Sequence, residues 1–391
     1  MHPYDQIREL PADPIFGLSA KFKADKRPGK FTFVTGYFRK QDLTTPVLDT
    51  VAEAEKRLAE ARHKREYLPI DGDLEFATEI GKLAFGSHWD PEKIYGLQTV
   101  GGTGALFLIG KLAKAWTNVI AISDPTWTNH WGIFTLAGLK TEPYPYYANR
   151  KLQFDGCVEK LQSLPKGACV LIHTNCHNTT GFDLTKEQWQ ELCALVEKKQ
   201  LYPILDMAYQ GFSATPDEDA YGPRLFFEKG LNFALTYTCA KNFSIYGERA
   251  GALFVVDQSS KNLRAIKSQI KAQIRGCYSN PPIHAAAIVK TILKSSDLKA
   301  KWLKELEGMR KRMHAVRNAF VDLLVQKDPE GNWEPIRQGK GLFCCSDLSS
   351  KAVTRLCEEK ALYVAVDGRI NLTGLNDQNL EQFVDALLEM Q

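Results

Sequence analysis

Residues 236–252 read T-Y-T-C-A-K-N-F-S-I-Y-G-E-R-A-G-A and hold two side chains able to do chemistry, Lys241 and Arg249. The lysine follows a β-rich run at 232–238, so it stands where a strand ends and a loop begins, the usual place for chemistry in an open α/β sheet. Desolvation there lowers an amine's pKa and exposes a nucleophilic nitrogen that can form a Schiff base with a carbonyl. A single lysine is more often a solvated surface group, so the weight falls on its surroundings. Residues 98–116, Q-T-V-G-G-T-G-A-L-F-L-I-G-K-L-A-K-A-W, pass from a short extended segment through a glycine cluster into a helical pattern from Ala105. Free N–H groups at such a helix start, with glycines that let an anion approach, make a phosphate cradle; a glycine turn capping a core helix fits the same residues. Neither G-x-x-x-x-G-K-[ST] nor G-x-G-x-x-G is present, so the common nucleotide motifs are not supported.

The elements that must position these groups alternate along the chain. β-like runs at 118–123, 168–174, 202–205, 232–238 and 252–256 are separated by helical patterns, of which 185–199 is the clearest. There Thr185 and Gln188 form a capping box, and Trp189, Leu192, Cys193 and Val196 form one apolar stripe. This alternation predicts a mostly parallel sheet with helices on both faces. Gly102, Asp124, Asn178, Asp206 and Lys241 each follow a predicted strand, so one shared sheet edge is the candidate site. Earlier in the chain, 18–26 and 47–63 read as helices and 30–37 as a β-like run broken by Gly36. Later, 261–276 and 295–325 read as helices. The end of the chain, 333–391, reads as an α+β layer with short strands at 341–345, 362–366 and 369–372.

The 391 residues favour two or three domains. A 44% apolar and 25% charged composition is that of an ordinary globular protein, and a formal charge of +4, with acids and bases interspersed, leaves no nucleic-acid footprint. Nine scattered cysteines without a CxxC pair fit a reduced compartment. The N-terminus lacks the basic and apolar regions of a signal peptide and no apolar run approaches eighteen residues, so the cytoplasm is expected and no membrane partner is. His173 and His177 fall on a strand and the loop after it, where HxxxH spacing does not converge on an ion, so no metal is expected.

A phosphate cradle, a strand-end aspartate, a strand-end lysine and a nearby arginine are the parts that pyridoxal phosphate needs: an amine for its aldehyde, an acid for its ring nitrogen, and N–H groups and a cation for its phosphate. The ordered blocks P-A-D-P-I-F-G-L (11–18), Y-L-P-I-D-G (67–72), Q-T-V-G-G-T-G-A-L (98–106), D-P-T-W-T-N-H (124–130), C-H-N-T-T-G (176–181), D-M-A-Y-Q-G-F (206–212), A-K-N-F-S-I-Y-G-E-R-A-G (240–251), I-R-G-C-Y-S-N-P-P (274–282) and G-R-I-N (368–371) carry a resemblance over nearly the whole chain. The sequence resembles the class I, fold-type I aminotransferases of the aspartate aminotransferase family.

That resemblance implies an α/β fold of a mostly parallel seven-stranded sheet flanked by helices, with a smaller α+β domain. It implies an arm at 1–14 contacting a partner subunit, a small domain of 15–46 and 310–391, and a large cofactor-binding domain of 47–309. Lys241 would form the Schiff base and shuttle the proton between the substrate Cα and the cofactor. Asp206, supported by His130, would hold the pyridinium proton, Trp127 would stack on the ring, and Asn178 and Tyr209 would bond its phenolic oxygen. The phosphate would go to Gly102, Thr103, Thr238 and Arg249, with Tyr67 reaching across a homodimer. Gly36, Trp127, Asn178 and Arg369 would meet the substrate, Arg369 gripping its α-carboxylate, and Arg275 of the second subunit would bind a side-chain carboxylate.

The implied reaction is ping-pong exchange of the amino group between L-aspartate and 2-oxoglutarate. Aromatic aminotransferases of the same branch retain the arginine at this position, so phenylalanine and tyrosine remain an alternative. Thr45, Thr103 and Asn280 match the aspartate-preferring pattern; Tyr37 and Glu66 depart from it. A fold-type I lyase and a regulator retaining the fold are weaker alternatives, the latter lacking an appended DNA-binding segment. Two departures from the family bear on the site. Ala240 replaces the usual serine, removing one phosphate hydrogen bond. Thr179 replaces a proline usually preceded by a cis bond, and the cis form is expected to persist so that Asn178 still faces the cofactor, at a cost of about 2.5–4 kcal/mol.

Overall fold

Seven strands form the central sheet of the computed structural model, which describes residues 2–10, 13–62 and 65–391. In spatial order they are Ile94–Val100, Ala250–Val256, Phe233–Thr238, Tyr202–Met207, Cys169–His173, Val119–Asp124 and Lys140–Pro145. Ala250–Val256 runs antiparallel to both its neighbours, and every other pairing is parallel. Parallel neighbours need long crossovers, which helices such as Asn129–Ala137 and Lys186–Lys199 supply. Covered on both faces, the central strands are nearly continuous in buried residues, and Phe233–Thr238 and Ala250–Val256 are buried at every position.

Successive side chains point to opposite faces of a strand. Leu205, Leu235 and Phe254 therefore join one hydrophobic cluster, while their neighbours Ile204, Ala234 and Leu253 join another. A third cluster contains Phe33, Phe320, Leu324, Trp333, Ile370, Leu372 and Phe383. It gathers the antiparallel pair Phe343–Cys345 and Arg369–Asn371, the helices Ser350–Lys360 and Leu380–Glu389, and the parallel pair Phe31–Thr32 and Leu362–Tyr363. One 32-residue helix, Ser296–Lys327, connects the clusters: Trp302 and Leu306 pack in the first, Phe320 and Leu324 in the third.

Several elements differ from the sequence reading in extent. The helix expected at 18–26 is Pro14–Ala24, because Asp13 Oδ1 accepts from the N–H groups of Ile15 and Phe16 at 2.9 and 2.8 Å, and Pro14 suits a first helical turn. Of the β-like run at 30–37 only Phe31–Thr32 pairs. The glycine cluster is the first turn of the helix Gly101–Ala113 rather than a loop before it. The edge strand Lys140–Pro145 and the helices Leu74–Phe85 and His284–Lys294 have no counterpart in that reading. The capping box at Thr185 and Gln188 is present, with both of its hydrogen bonds. Positions 1, 11 and 12 of the arm, and position 63 at the end of the helix expected over 47–63 and observed as Asp49–Glu60, lie outside the described residues. Among the described residues no helix is long and apolar enough to cross a membrane.

Candidate active site

The crevice opens where the chain reverses its direction across the sheet. Val119–Asp124 hands the chain outward to Lys140–Pro145, whereas its neighbour Cys169–His173 hands it inward to Tyr202–Met207. Ligands of open α/β sheets bind beyond the strand ends at such a point. A cavity of about 720 Å³ lies there, lined by Gly36, Gly102, Thr103, Trp127, Asn178, Asp206, Tyr209, Thr238, Lys241, Arg249 and Arg369. Eleven predicted site residues far apart in sequence thus share one space. Tyr67 and Arg275 do not: Tyr67 is 93% exposed, and Arg275 is exposed on the helix Leu263–Cys277, with its guanidinium bonded to Ser279.

Lys241 enters the cavity just after Phe233–Thr238, on a segment fixed from below. Phe243 stacks on Trp302 at 4.6 Å, Trp302 Nε1 donates to the Asn242 carbonyl at 2.8 Å, and Asn242 Nδ2 donates to Tyr237 Oη at 2.9 Å. Burial lowers the Lys241 ammonium to about 8. The Arg249 and Arg369 cations act in the same direction, and the Asp206 carboxylate opposes them. About a tenth of the amine is therefore free base at pH 7 and about half at pH 8, far more than for an ordinary lysine, and the free base is the state that attacks carbonyls.

Asp206 is buried, which pushes its carboxyl up. The hydrogen bond from His130, the charge on His130 and the hydrogen bond from Thr236 outweigh burial and hold it below the usual carboxylate range. Thr236 Oγ1 donates to Oδ1 at 2.9 Å; His130 Nε2 lies 3.3 Å from Oδ2, and His130 Nδ1 lies 2.8 Å from Thr126 Oγ1. The ligand atoms of His130, His173 and Asp206 lie within 4.8 Å of one another. Because both ring nitrogens of His130 are engaged, the trio reads as support for a charged Asp206 rather than as a metal site. His173, lowered to about 3 by burial and the neighbouring His130, lines the cavity as a neutral ring.

The phosphate end is shaped by close backbone approach. A Cβ on Gly102 would collide with Thr238 Oγ1, and one on Gly101, whose φ is +65°, would stand 2.5 Å from an Arg249 nitrogen. These glycines keep the first N–H groups of Gly101–Ala113 beside a hydroxyl and a guanidinium, an arrangement that fits a phosphate. Arg249 itself is left-handed, with φ +58°, and donates to the Tyr246 carbonyl at 3.0 Å. Ala240 lines the same wall without a hydroxyl.

At the other end Arg369, 2% exposed, donates from Nη1 to Asn178 Oδ1 at 2.8 Å and from Nη2 to the Val34 carbonyl at 2.9 Å, while its Nε has no partner. An orphaned guanidinium N–H beside a cavity fits a carboxylate. Asn178 Nδ2 donates to Tyr209 Oη at 3.3 Å, and burial pushes the Tyr209 phenol up, so it stays a neutral donor. The expected cis bond at Asn178–Thr179 is corrected: among the described residues the one cis peptide is Asp124–Pro125. Without proline the trans form is favoured by about 2.5–4 kcal/mol, and a trans backbone still delivers Asn178 to Arg369 and Tyr209.

Other lining residues were given no role by the sequence reading: Ile15 and Phe16 near the start of Pro14–Ala24, Tyr246, which T-stacks on Tyr37 at 4.9 Å, and Phe343, whose ring lies 4.6 Å from the Arg369 guanidinium. The only hint of the last was its place in the β-like run at 341–345, which says nothing of the strand it pairs with.

Comparisons with known proteins agree with this geometry. A family model described as "Aminotransferase class I and II" matches residues 34–387. The chain is 37% identical over 397 residues to an aspartate aminotransferase of Pseudomonas aeruginosa, covering 100% of both. It is 35% identical over 396 residues to an aromatic-amino-acid aminotransferase of the same organism, covering 100% of this chain and 99% of the relative. Its fold superposes with a TM-score of 0.94, at 38% identity and full coverage of both chains, on an aromatic-amino-acid aminotransferase from Burkholderia pseudomallei described as covalently bound to pyridoxal phosphate. Matched over residues 34–387 by that family model and over its full length by relatives more than 30% identical, the chain belongs to the class I and II aminotransferase family.

Proposed function

We propose that this aminotransferase moves the amino group of L-aspartate to 2-oxoglutarate with pyridoxal phosphate as cofactor, in two half-reactions at one site. The observation that carries the reading is the shared cavity of Lys241, Asp206 and Arg369, a depressed amine, a charged acid and a carboxylate grip with a free N–H. When bound, the cofactor supplies an aldehyde that captures amines and a cationic ring that withdraws electrons. Lys241 would hold the aldehyde through its free amine and would carry the proton that leaves the substrate Cα. Asp206 keeps a proton on the ring nitrogen, with His130 and Thr236 holding it ionised. Trp127 covers the ring face, and Asn178 and Tyr209 hold its phenolic oxygen. Gly102, Thr103, Thr238 and Arg249 bind the phosphate. Arg369 with Asn178 grips the α-carboxylate, Gly36 lying at that end.

In this reading the molecule works as a homodimer, and Tyr67 and Arg275 reach the neighbouring copy's site, Arg275 for the distal carboxylate. Supporting it are their exposure outside their own cavity and the exposed apolar side chains of Tyr4, Ile7 and Leu10 on the N-terminal arm. The division into an arm at 1–14, a small domain of 15–46 and 310–391 and a large domain of 47–309 belongs to the same proposal, supported by the separate third hydrophobic cluster. Nine free cysteines support a reducing location in the cytoplasm.

A second reading, transfer from phenylalanine or tyrosine, is favoured by Tyr37, a cavity-lining ring 40% exposed beside Tyr246. Initial rates with 2-oxoglutarate and each donor decide between them: a higher kcat/KM for aspartate supports the first, and one higher for the aromatic donors replaces it with the second.

A further inference from the structure

The helix Ser296–Lys327 carries an arginine that lies outside the cavity and is 1% exposed, Arg317. Its guanidinium donates to four backbone carbonyls: Ile336 at 3.2 Å, Lys340 at 3.2 Å, Gly341 at 3.1 Å and Phe343 at 2.8 Å. Burying a cation against carbonyl dipoles carries a desolvation cost that the held structure must offset. What it holds is the floor beneath the carboxylate end of the cavity.

Two arms of that floor converge on Arg369. On one side, Phe343 lies 4.6 Å from the Arg369 guanidinium, and its strand pairs with Arg369–Asn371, placing Cys345 opposite Arg369. On the other, the Lys340 N–H donates to the Gly181 carbonyl at 2.7 Å, and Gly181 closes the loop that carries Asn178, the acceptor for Arg369 Nη1. Gly181 has φ +76°, and a Cβ there would collide with the Phe343 carbonyl oxygen, the same atom that Arg317 bonds. One guanidinium thus lies beneath both halves of the Asn178–Arg369 pair.

We propose that Arg317 is a positioning residue for substrate-carboxylate recognition: by gathering the carbonyls of 336–343 it sets the Phe343 ring under Arg369 and seats the Asn178 loop against it. This rests on Arg369 being the α-carboxylate grip. A lysine keeps the charge but has three donors on one nitrogen and no planar fork, so it cannot span four carbonyls.

The test compares the wild type with Arg317→Lys, Gly181→Ala and Arg369→Gln, each loaded with pyridoxal phosphate. Succinate, a dicarboxylate with no amine to react, is titrated calorimetrically, and aspartate kinetics and the cofactor Kd are measured in parallel. Arg317→Lys and Gly181→Ala should each weaken succinate and raise the aspartate KM by about tenfold, the scale of one charge-assisted hydrogen bond. Their kcat and cofactor Kd should stay within about threefold. Unchanged succinate binding in both variants, with only a lower Tm, overturns the proposal and leaves the role of Arg369 standing. If Arg369→Gln binds succinate as the wild type does, the reading of Arg369 fails and the proposal with it.

Discussion

At the scale of single residues, the reactivity of Lys241 is a balance of burial and three neighbouring charges. The rate at which the cofactor-free protein captures pyridoxal phosphate should rise with pH and level off with an inflection near 8, because only the free amine attacks. Asp206 works against the lowering, so Asp206→Asn should move that inflection to lower pH; stopped-flow absorbance reads it, and an unmoved or higher inflection would show that the two charges do not interact. Gly102, Asn178, Asp206 and Lys241 were legible from local pattern because each follows a strand, where position and exposure to a crevice are both predicted; Asp124, which the same pattern singled out, does not line the cavity, and Trp127 and Thr238 came from the family resemblance. Phe343 and Arg317 were not legible. An apolar ring near a glycine or an arginine in a charged helix has no local feature that sets it apart, and its role arises from what packs against it.

At the scale of elements, the helix Gly101–Ala113 matters through its first turn. Gly102→Ala would drive a methyl into Thr238 Oγ1, and overpacking of this kind costs about 1–3 kcal/mol. Pyridoxal phosphate affinity, measured by equilibrium dialysis, should therefore fall roughly tenfold or more. A contrasting change is Thr185→Ala in the capping box of Lys186–Lys199, which should lower stability by about 1 kcal/mol and leave kinetics unchanged. A change in KM there would mean that the helix does more than pack. The box was legible because it is written within four residues. The start of the glycine helix was misplaced because glycines disfavour helices intrinsically, and here the strand before them and the contacts of Arg249 and Thr238 override that preference.

At the scale of the whole molecule, the proposed exchange of Arg275 between subunits makes a complementation prediction. Lys241→Ala and Arg275→Ala should each have little activity towards aspartate alone. Mixed and allowed to exchange subunits, they should recover up to roughly a quarter of wild-type activity, since half of the dimers are hybrids with one intact site. No recovery, with exchange confirmed by native mass spectrometry, would place Arg275 within its own subunit's site or outside any. Local periodicity and residue type were enough for the alternation of strands and helices, for the capping box at Thr185 and for setting Gly102, Asn178, Asp206 and Lys241 just past strands, because each of these is written within a few residues. The tertiary structure decided the sheet order, the antiparallel strand Ala250–Val256, the trans bond at Asn178–Thr179 and the floor beneath Arg369. Each of those depends on segments far apart in the chain competing for the same neighbours, a choice made by packing and hydrogen-bond satisfaction across the whole fold.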